Sequence, residues 1–169
     1  MSDALAKRPV LGRALRRSGA DEKRVEYLAF KLADEAYAVR IEDVSEILKP
    51  PPITPVPRAQ SLVLGIMSIR GRLVTVIDVR KRFSHHDSDL GRRTRILLID
   101  VDGETIGALV DEVLQVYRLG ESEIEPGSVL GADQQPHVVG IGRPKTGRER
   151  SEILILLDLK EILRARGNP

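Results

Sequence analysis

Asp34-Glu-Ala-Tyr-Ala-Val-Arg-Ile-Glu-Asp-Val44 returns 69 positions later as Gly103-Glu-Thr-Ile-Gly-Ala-Leu-Val-Asp-Glu-Val113. Glu35 meets Glu104, Tyr37 meets Ile106, Ile41 meets Val110, and the acidic pair Glu42-Asp43 meets Asp111-Glu112. Further on, Val76-Ile-Asp-Val-Arg80 matches Leu156-Leu-Asp-Leu-Lys160. Amphipathic strands resemble one another by chance, but here the order of features agrees as well. Each half reads as a hairpin, further strands, a final strand and an Asp-capped short helix. The repeat predicts a mostly-β chain of two small five-stranded barrels. A lobe of about 65 residues has a marginal core alone. At ~25 cal/mol per Å2, a few hundred Å2 of shared apolar surface gives several kcal/mol, comparable with a domain's total stability. The two lobes should therefore form one cooperative unit with a groove where they meet.

Working outward, Glu26–Leu32 and Ala36–Arg40 read as strands around a tight turn at Ala33-Asp34-Glu35. Val44, Ile47 and Leu48 then recur at helical spacing, so Glu42–Leu48 reads as a short helix. Pro50, Pro51 and Pro52 end it, and Pro55 and Pro57 keep the chain extended. That segment reads as a stiff connector or edge strand rather than a Pro-rich ligand. Leu64–Arg70 and Arg72–Asp78 form a hairpin, with Gly71 free to take the positive φ of a tight turn. Asp78 caps a short helix, Val79–Phe83. Asp102-Gly103 joins Thr94–Val101 to Glu104–Val110. Val113–Arg118, Val138–Gly142 and Ile153–Leu157 complete the strands, and Asp158 caps a C-terminal helix, Leu159–Arg166. The expected division is an arm, 1–24, a first lobe, 25–83, a second lobe, 94–157, and a helix, 158–166.

The composition narrows the function. Hydrophobic residues make up 41% and aromatic residues 3% of 169 residues, so the core is aliphatic. There is no Cys, which excludes a disulfide framework, a thiolate metal site and a Cys nucleophile. No apolar run approaches the ~20 residues that span a bilayer. Residues 1–24 lack the apolar segment of a secretory signal, so the expected location is the cytoplasm. Their seven basic and three acidic residues give +4, which leaves about −2 for the rest of a chain of net charge +2. The basic character belongs to the arm rather than the body. This disfavours a nucleic-acid-binding barrel, whose positive footprint should lie on the folded surface.

No catalytic, cofactor or metal site emerges. His85, His86, Asp87 and Asp89 form the one metal-like cluster, in a polar loop where neighbouring side chains rarely converge on an ion. Gly142-Arg-Pro-Lys-Thr-Gly147 has its Lys before the last Gly, unlike a phosphate-binding loop, and reads as a basic hairpin tip within Arg143–Ser151. Asp100 and Asp102 end a strand, as phospho-acceptor acids do, but the chain lacks the long alternating helices of a receiver domain. Asp78 and Asp158 read as caps, and His137, beside Pro136, as structural. What remains is Arg70, at a hairpin apex, and Glu46, off the apolar face of its segment. These two are expected to pair and to order the first lobe's surface.

Phe30–Val39, Val44-Ser-Glu-Ile47 and Gly65-Ile-Met-Ser-Ile-Arg-Gly-Arg-Leu-Val-Thr-Val-Ile-Asp78 together resemble the CheW family of bacterial chemotaxis coupling proteins. Gly107–Val113, Val139-Gly-Ile-Gly142 and Ile155-Leu-Leu-Asp-Leu159 extend the resemblance over about residues 25–165. It implies two SH3-like five-stranded barrels. It also implies a non-enzymatic, cytoplasmic adaptor, recruited to receptor arrays at the inner membrane face. There it would join the tips of methyl-accepting chemoreceptors to the regulatory domain of a CheA-type histidine kinase, in chemotaxis or a related motility pathway. By match to the family motif, Val44, Glu46 and Arg70 are expected at the receptor contact, and Val56, Gly65, Ile66 and Gly71 at the kinase contact. The basic arm, the long loop Arg143–Ser151 and Met67-Ser68, where a polar Asn is frequent, depart from the family pattern.

Overall fold

Several strands of this chain are apolar on both faces, and two of them show how the layout arises. In the computed structural model, which describes residues 22–83, 89–130, 135–145 and 152–165, these are β1 (Val25–Leu32) and β6 (Arg95–Val101). Side chains alternate across a strand. Leu28, Phe30 and Leu32 of β1 and Leu97, Ile99 and Val101 of β6 meet in one central core. Tyr27 and Ala29 point the other way into a second core, and Ile96 and Leu98 into a third. The result is a mostly-β protein of two SH3-like lobes with a shared core between them and a small core inside each.

β1, β2 (Glu35–Arg40), β8 (Glu112–Leu119), β9 (Ile124–Pro126), β10 (Val138–Gly142) and β11 (Leu154–Leu157) form one sheet in the order β8-β1-β2-β11-β10-β9. β3 (Val44–Leu48), β4 (Val63–Ile69), β5 (Arg72–Asp78), β6 and β7 (Glu104–Val110) form the other, in the order β3-β6-β7-β5-β4. The sheets do not follow the divisions 25–83 and 94–157 expected from the repeat. Each lobe takes its first hairpin from one half of the chain and its remaining strands from the other.

Strand direction and link length explain the exchange. β8 runs antiparallel to β1, and so does β2, so β8 is parallel to β2. To fill that place itself, β3 would have to return the whole length of β2, about 20 Å at ~3.3 Å per residue, before starting. Only a three-residue 3-10 turn, Ile41–Asp43, is available. A parallel neighbour needs a crossover of about a dozen residues. The chain therefore passes into the opposite sheet, where β3 pairs with β6. The second half obeys the same constraint more tightly, since Asp111 alone separates β7 from β8.

The registers confirm the repeat. Val44 lies opposite Ile99, and its counterpart Val113 opposite Phe30. The parallel pair Thr75–Ile106 matches Ile155–Tyr37, and Val76–Gly107 matches Leu156–Ala38. The Leu62 carbonyl accepts the Asp78 N–H, as the His137 carbonyl accepts that of Asp158. Asp158 caps α1 (Leu159–Arg164) by accepting from the Glu161 N–H at 3.0 Å. Leu159, Ile162 and Leu163 of α1 complete the central core.

Two local expectations change. Val44–Leu48 is a strand and not a helix. A bulge between Val44 and Glu46 sets Val44 opposite Ile99 and Ile47 opposite Leu97, so residues three apart lie on one face of the strand and imitate helical spacing, although Val44 packs against the central core and Ile47 is exposed. The arm is also tied down before Val25. Glu22 accepts from the Ser122 N–H at 2.7 Å, and Arg24 lies 3.5 Å from buried Glu123.

The shared core predicts cooperative unfolding. Leu97→Ala should cost about 2–5 kcal/mol, and unfolding should remain a single transition, checked by whether Tyr fluorescence and far-UV dichroism coincide in urea. A second expectation concerns His137, which is buried with its ring edge-on to Phe83. Burial and then Arg82 push its pKa down. The unfolded chain therefore binds the proton more readily, so the His137 contribution is complete above an ordinary His pKa of ~6.5 and is lost as pH falls below it. His137→Leu, which copies Leu62, should flatten stability over that window, as read from urea midpoints between about pH 7 and pH 5.

Candidate functional site

The β4–β5 hairpin turns through Arg70 at φ +49° and Gly71 at φ +79°. Two successive positive φ values make a type I′ turn, which matches the twist of the flanking strands. The Arg70 side chain is thereby presented from a fixed backbone. It reaches β3, where Nη2 donates to Glu46 Oε1 at 2.7 Å and Nη1 to Glu46 Oε2 at 3.0 Å. This parallel, two-bond geometry fixes orientation as well as distance. The hydrogen bonds from Arg70 hold the Glu46 carboxyl below its ordinary range, and Glu46 in turn raises the guanidinium. The pair stays at the surface, with the Arg70 side chain 73% exposed. It adds little to stability and much to shape.

Ser45 helps set this arrangement. It is the extra residue of the β3 bulge, and its hydroxyl donates to the Leu98 carbonyl at 3.0 Å. Glu46, Arg70, Arg72, Leu73, Glu104 and Leu98 then line an open cleft of about 410 Å3. Val44, the third residue expected with the pair, packs half-buried against the central core at the start of β3.

The residues expected at the kinase contact divide between two places. Val56 is exposed on the Pro-rich connector. The connector is stitched to β4, with Thr54 and Ile66 exchanging both backbone hydrogen bonds at 2.8 and 2.9 Å. Ile66 is half-buried there, and Gly65 is buried beneath it. A Cβ on Gly65 would overlap the Thr54 carbonyl oxygen and lie 2.8 Å from Ile53 Cγ2. Gly65 is thus where the connector crosses β4, and a side chain there displaces the surface that carries Val56. Gly71 stands apart, with Arg70 at the hairpin tip.

The other chemical candidates have structural partners. Asp100 accepts from the Gly103 N–H in the β6–β7 turn, and Asp102 makes a two-bond pair with Arg164 of α1. Among the described residues no three His, Cys, Asp or Glu side chains gather to hold a metal, and no helix is long and apolar enough to cross a membrane. His85, His86 and Asp87, the arm up to Asp21, and 146–151 of the basic loop lie outside the described residues.

Sequence reasoning missed one network. Arg80 is 3% exposed and Asp78 1%. Arg80 Nε and Nη2 both bond Asp78 at 2.8 Å, and Nη1 reaches Asp111 Oδ1 at 3.2 Å. Asp111 also accepts the Ala33 N–H at 2.7 Å, so the network ties the 3-10 turn Val79–Phe83 after β5 to the β1–β2 turn in the other sheet. Asp78 does accept the Arg80 N–H, as a cap would, but its main partner is the guanidinium. The signal was present in the repeat, where Asp78-Val-Arg80 matches Asp158-Leu-Lys160. Lys160 pairs with Asp43 at 2.7 Å, next to Glu42, the residue that the repeat matches with Asp111.

Comparison with known proteins gives a consistent picture. A family model described as the CheW-like domain matches residues 26–167. The chain is 29% identical over 143 residues to Protein FrzA of Myxococcus xanthus, covering 84% of this chain and 89% of that one. It is 26% identical over 144 residues to the chemotaxis protein CheW of Helicobacter pylori, covering 85% and 84%. Its fold resembles the crystal structure of the scaffolding protein TtCheW from Thermoanaerobacter tengcongensis, with a TM-score of 0.69 and 29% identity over 80% of this chain and 89% of that one.

The two ion pairs should behave oppositely on mutation. Arg80→Leu strands a buried carboxylate and should cost about 3–5 kcal/mol. Arg70→Leu should leave the melting temperature nearly unchanged, because Arg70 and its partner Glu46 both stay in contact with solvent. Thermal denaturation of the two variants side by side checks the contrast.

Proposed function

The chain belongs to the CheW family of chemotaxis coupling adaptors, and from that premise we propose how it couples and through which surfaces. It carries out no reaction of its own. It works in the cytoplasm as a rigid bridge, with a chemoreceptor tip on one surface and the regulatory domain of a CheA-type histidine kinase on another. Val44, Glu46 and Arg70 belong to the receptor surface. Val56, Gly65 and Ile66 belong to the kinase surface, with Gly65 acting through the connector it lets pass. Gly71 shapes the turn that carries Arg70.

The observation that supports this reading most is the two-bond pair of Arg70 with Glu46 across a cleft. The core does not require it, yet it is fixed by a turn and a bulge. An adaptor gains from such a feature because a surface charge pair of defined geometry specifies a partner's orientation more than it adds affinity. Both surfaces belong to the sheet of β3, β4 and β5, so displacement at one reaches the other through packed side chains and not through a hinge.

Arg70→Glu, which puts two carboxylates side by side, should weaken receptor-fragment binding at least about tenfold and leave kinase-domain binding within about twofold. Val56→Asp should do the reverse. Calorimetry with each purified partner reads both. Equal loss toward both partners, or toward neither, would count against two separate surfaces.

A further inference from the structure

Leu73 is 74% exposed, the most exposed large hydrophobic side chain among the described residues. A lone surface Leu needs no explanation, but this one lines the Glu46–Arg70 cleft. Its counterpart in the second half is Ile153, by the same matching that pairs Val76 with Leu156. Ile153 is 55% exposed. An apolar side chain that stays in solvent at the same position of both halves is not held there by packing.

Arg72 sits beside it at the start of β5, exposed, also lining the cleft. Its side chain makes no hydrogen bond or ion pair among the described residues, whereas the Arg70 guanidinium is taken by Glu46. The cleft therefore offers one internally neutralised pair, a second acid, Glu104, that is engaged in an interaction of its own, one cation whose side chain has no partner among the described residues, and one exposed apolar side chain. This is the composition of a small binding patch, with an apolar anchor inside a polar rim.

We propose that Leu73 and Arg72 determine receptor specificity. Leu73 is the apolar anchor of the contact, and Arg72 takes a carboxylate that the receptor tip presents next to an apolar side chain. The inference rests on the assignment of this cleft to the receptor. Charge complementarity favours an acidic-and-apolar segment, since Arg72 is the cation of the cleft without a side-chain partner among the described residues, whereas Glu46 is taken by Arg70 and Glu104 has an interaction of its own. On this account Glu46 and Arg70 set the shape of the cleft, and residues 72 and 73 select what enters it.

The test uses the full chain with a purified receptor cytoplasmic fragment and, separately, the kinase regulatory domain. Leu73→Asp and Arg72→Glu should each weaken receptor-fragment binding at least about tenfold, the loss usual for a central anchor. Leu73→Ile should bind as the parent does. Kinase-domain binding should stay within about twofold for all three, and unchanged melting temperatures show that each variant is folded. If Leu73→Asp and Arg72→Glu bind the receptor fragment normally while Arg70→Glu does not, this inference fails and the receptor assignment of the cleft survives. If all of them, Arg70→Glu included, bind it normally, both fail. Loss of kinase-domain binding instead overturns the choice of partner.

Discussion

The arrangement of this protein depends on two links that are too short. Three residues, Ile41–Asp43, and a single residue, Asp111, follow the two matching hairpins. Neither can carry the chain back along a strand to start a parallel neighbour. Each hairpin must therefore be completed by strands from the other half of the chain. The consequence is energetic as well as topological. Neither half can form its own lobe, so neither carries an independent stability. β1 and β6, each buried on both faces, lie where the exchanged hairpins meet.

The charged groups divide along the same line. Asp78, Arg80 and half-buried Asp111 sit where the sheets are joined, hydrogen-bonded and expensive to break. Glu46 and Arg70 sit at the far end of a lobe, where water shares the interaction. The first network holds the lobes in a fixed relation. The second displays a shape that the fixed relation makes constant. A bridge needs both, because a well-placed surface feature transmits nothing if the body beneath it yields.

Much of this was legible in the residues. The repeat foretold two equivalent lobes, and Arg70-Gly71 and Asp102-Gly103 foretold their tight hairpin turns. The pairing of Glu46 with Arg70 was legible too, although its element was misread. Val44, Ile47 and Leu48 have helical spacing because a bulge adds one residue to a strand, and periodicity alone does not separate the two cases. The exchange of hairpins was hidden for another reason. A repeat reports which segments are alike, not which copy each segment pairs with. The lengths of the links carried that information, and reading it requires strand direction. The Arg80 network was missed because Asp78 had a sufficient local explanation as a cap. Leu73 drew no notice because exposure cannot be read from a strand whose two faces are both apolar in sequence.

The central claim is that one chain holds two partners at once on separate surfaces. Analytical ultracentrifugation of the chain with a receptor cytoplasmic fragment and a kinase regulatory domain, alone and together, addresses it directly. The account predicts a ternary complex in which saturation with one partner leaves room for the other at undiminished stoichiometry. Mutual displacement, with only binary complexes at every ratio, would contradict it.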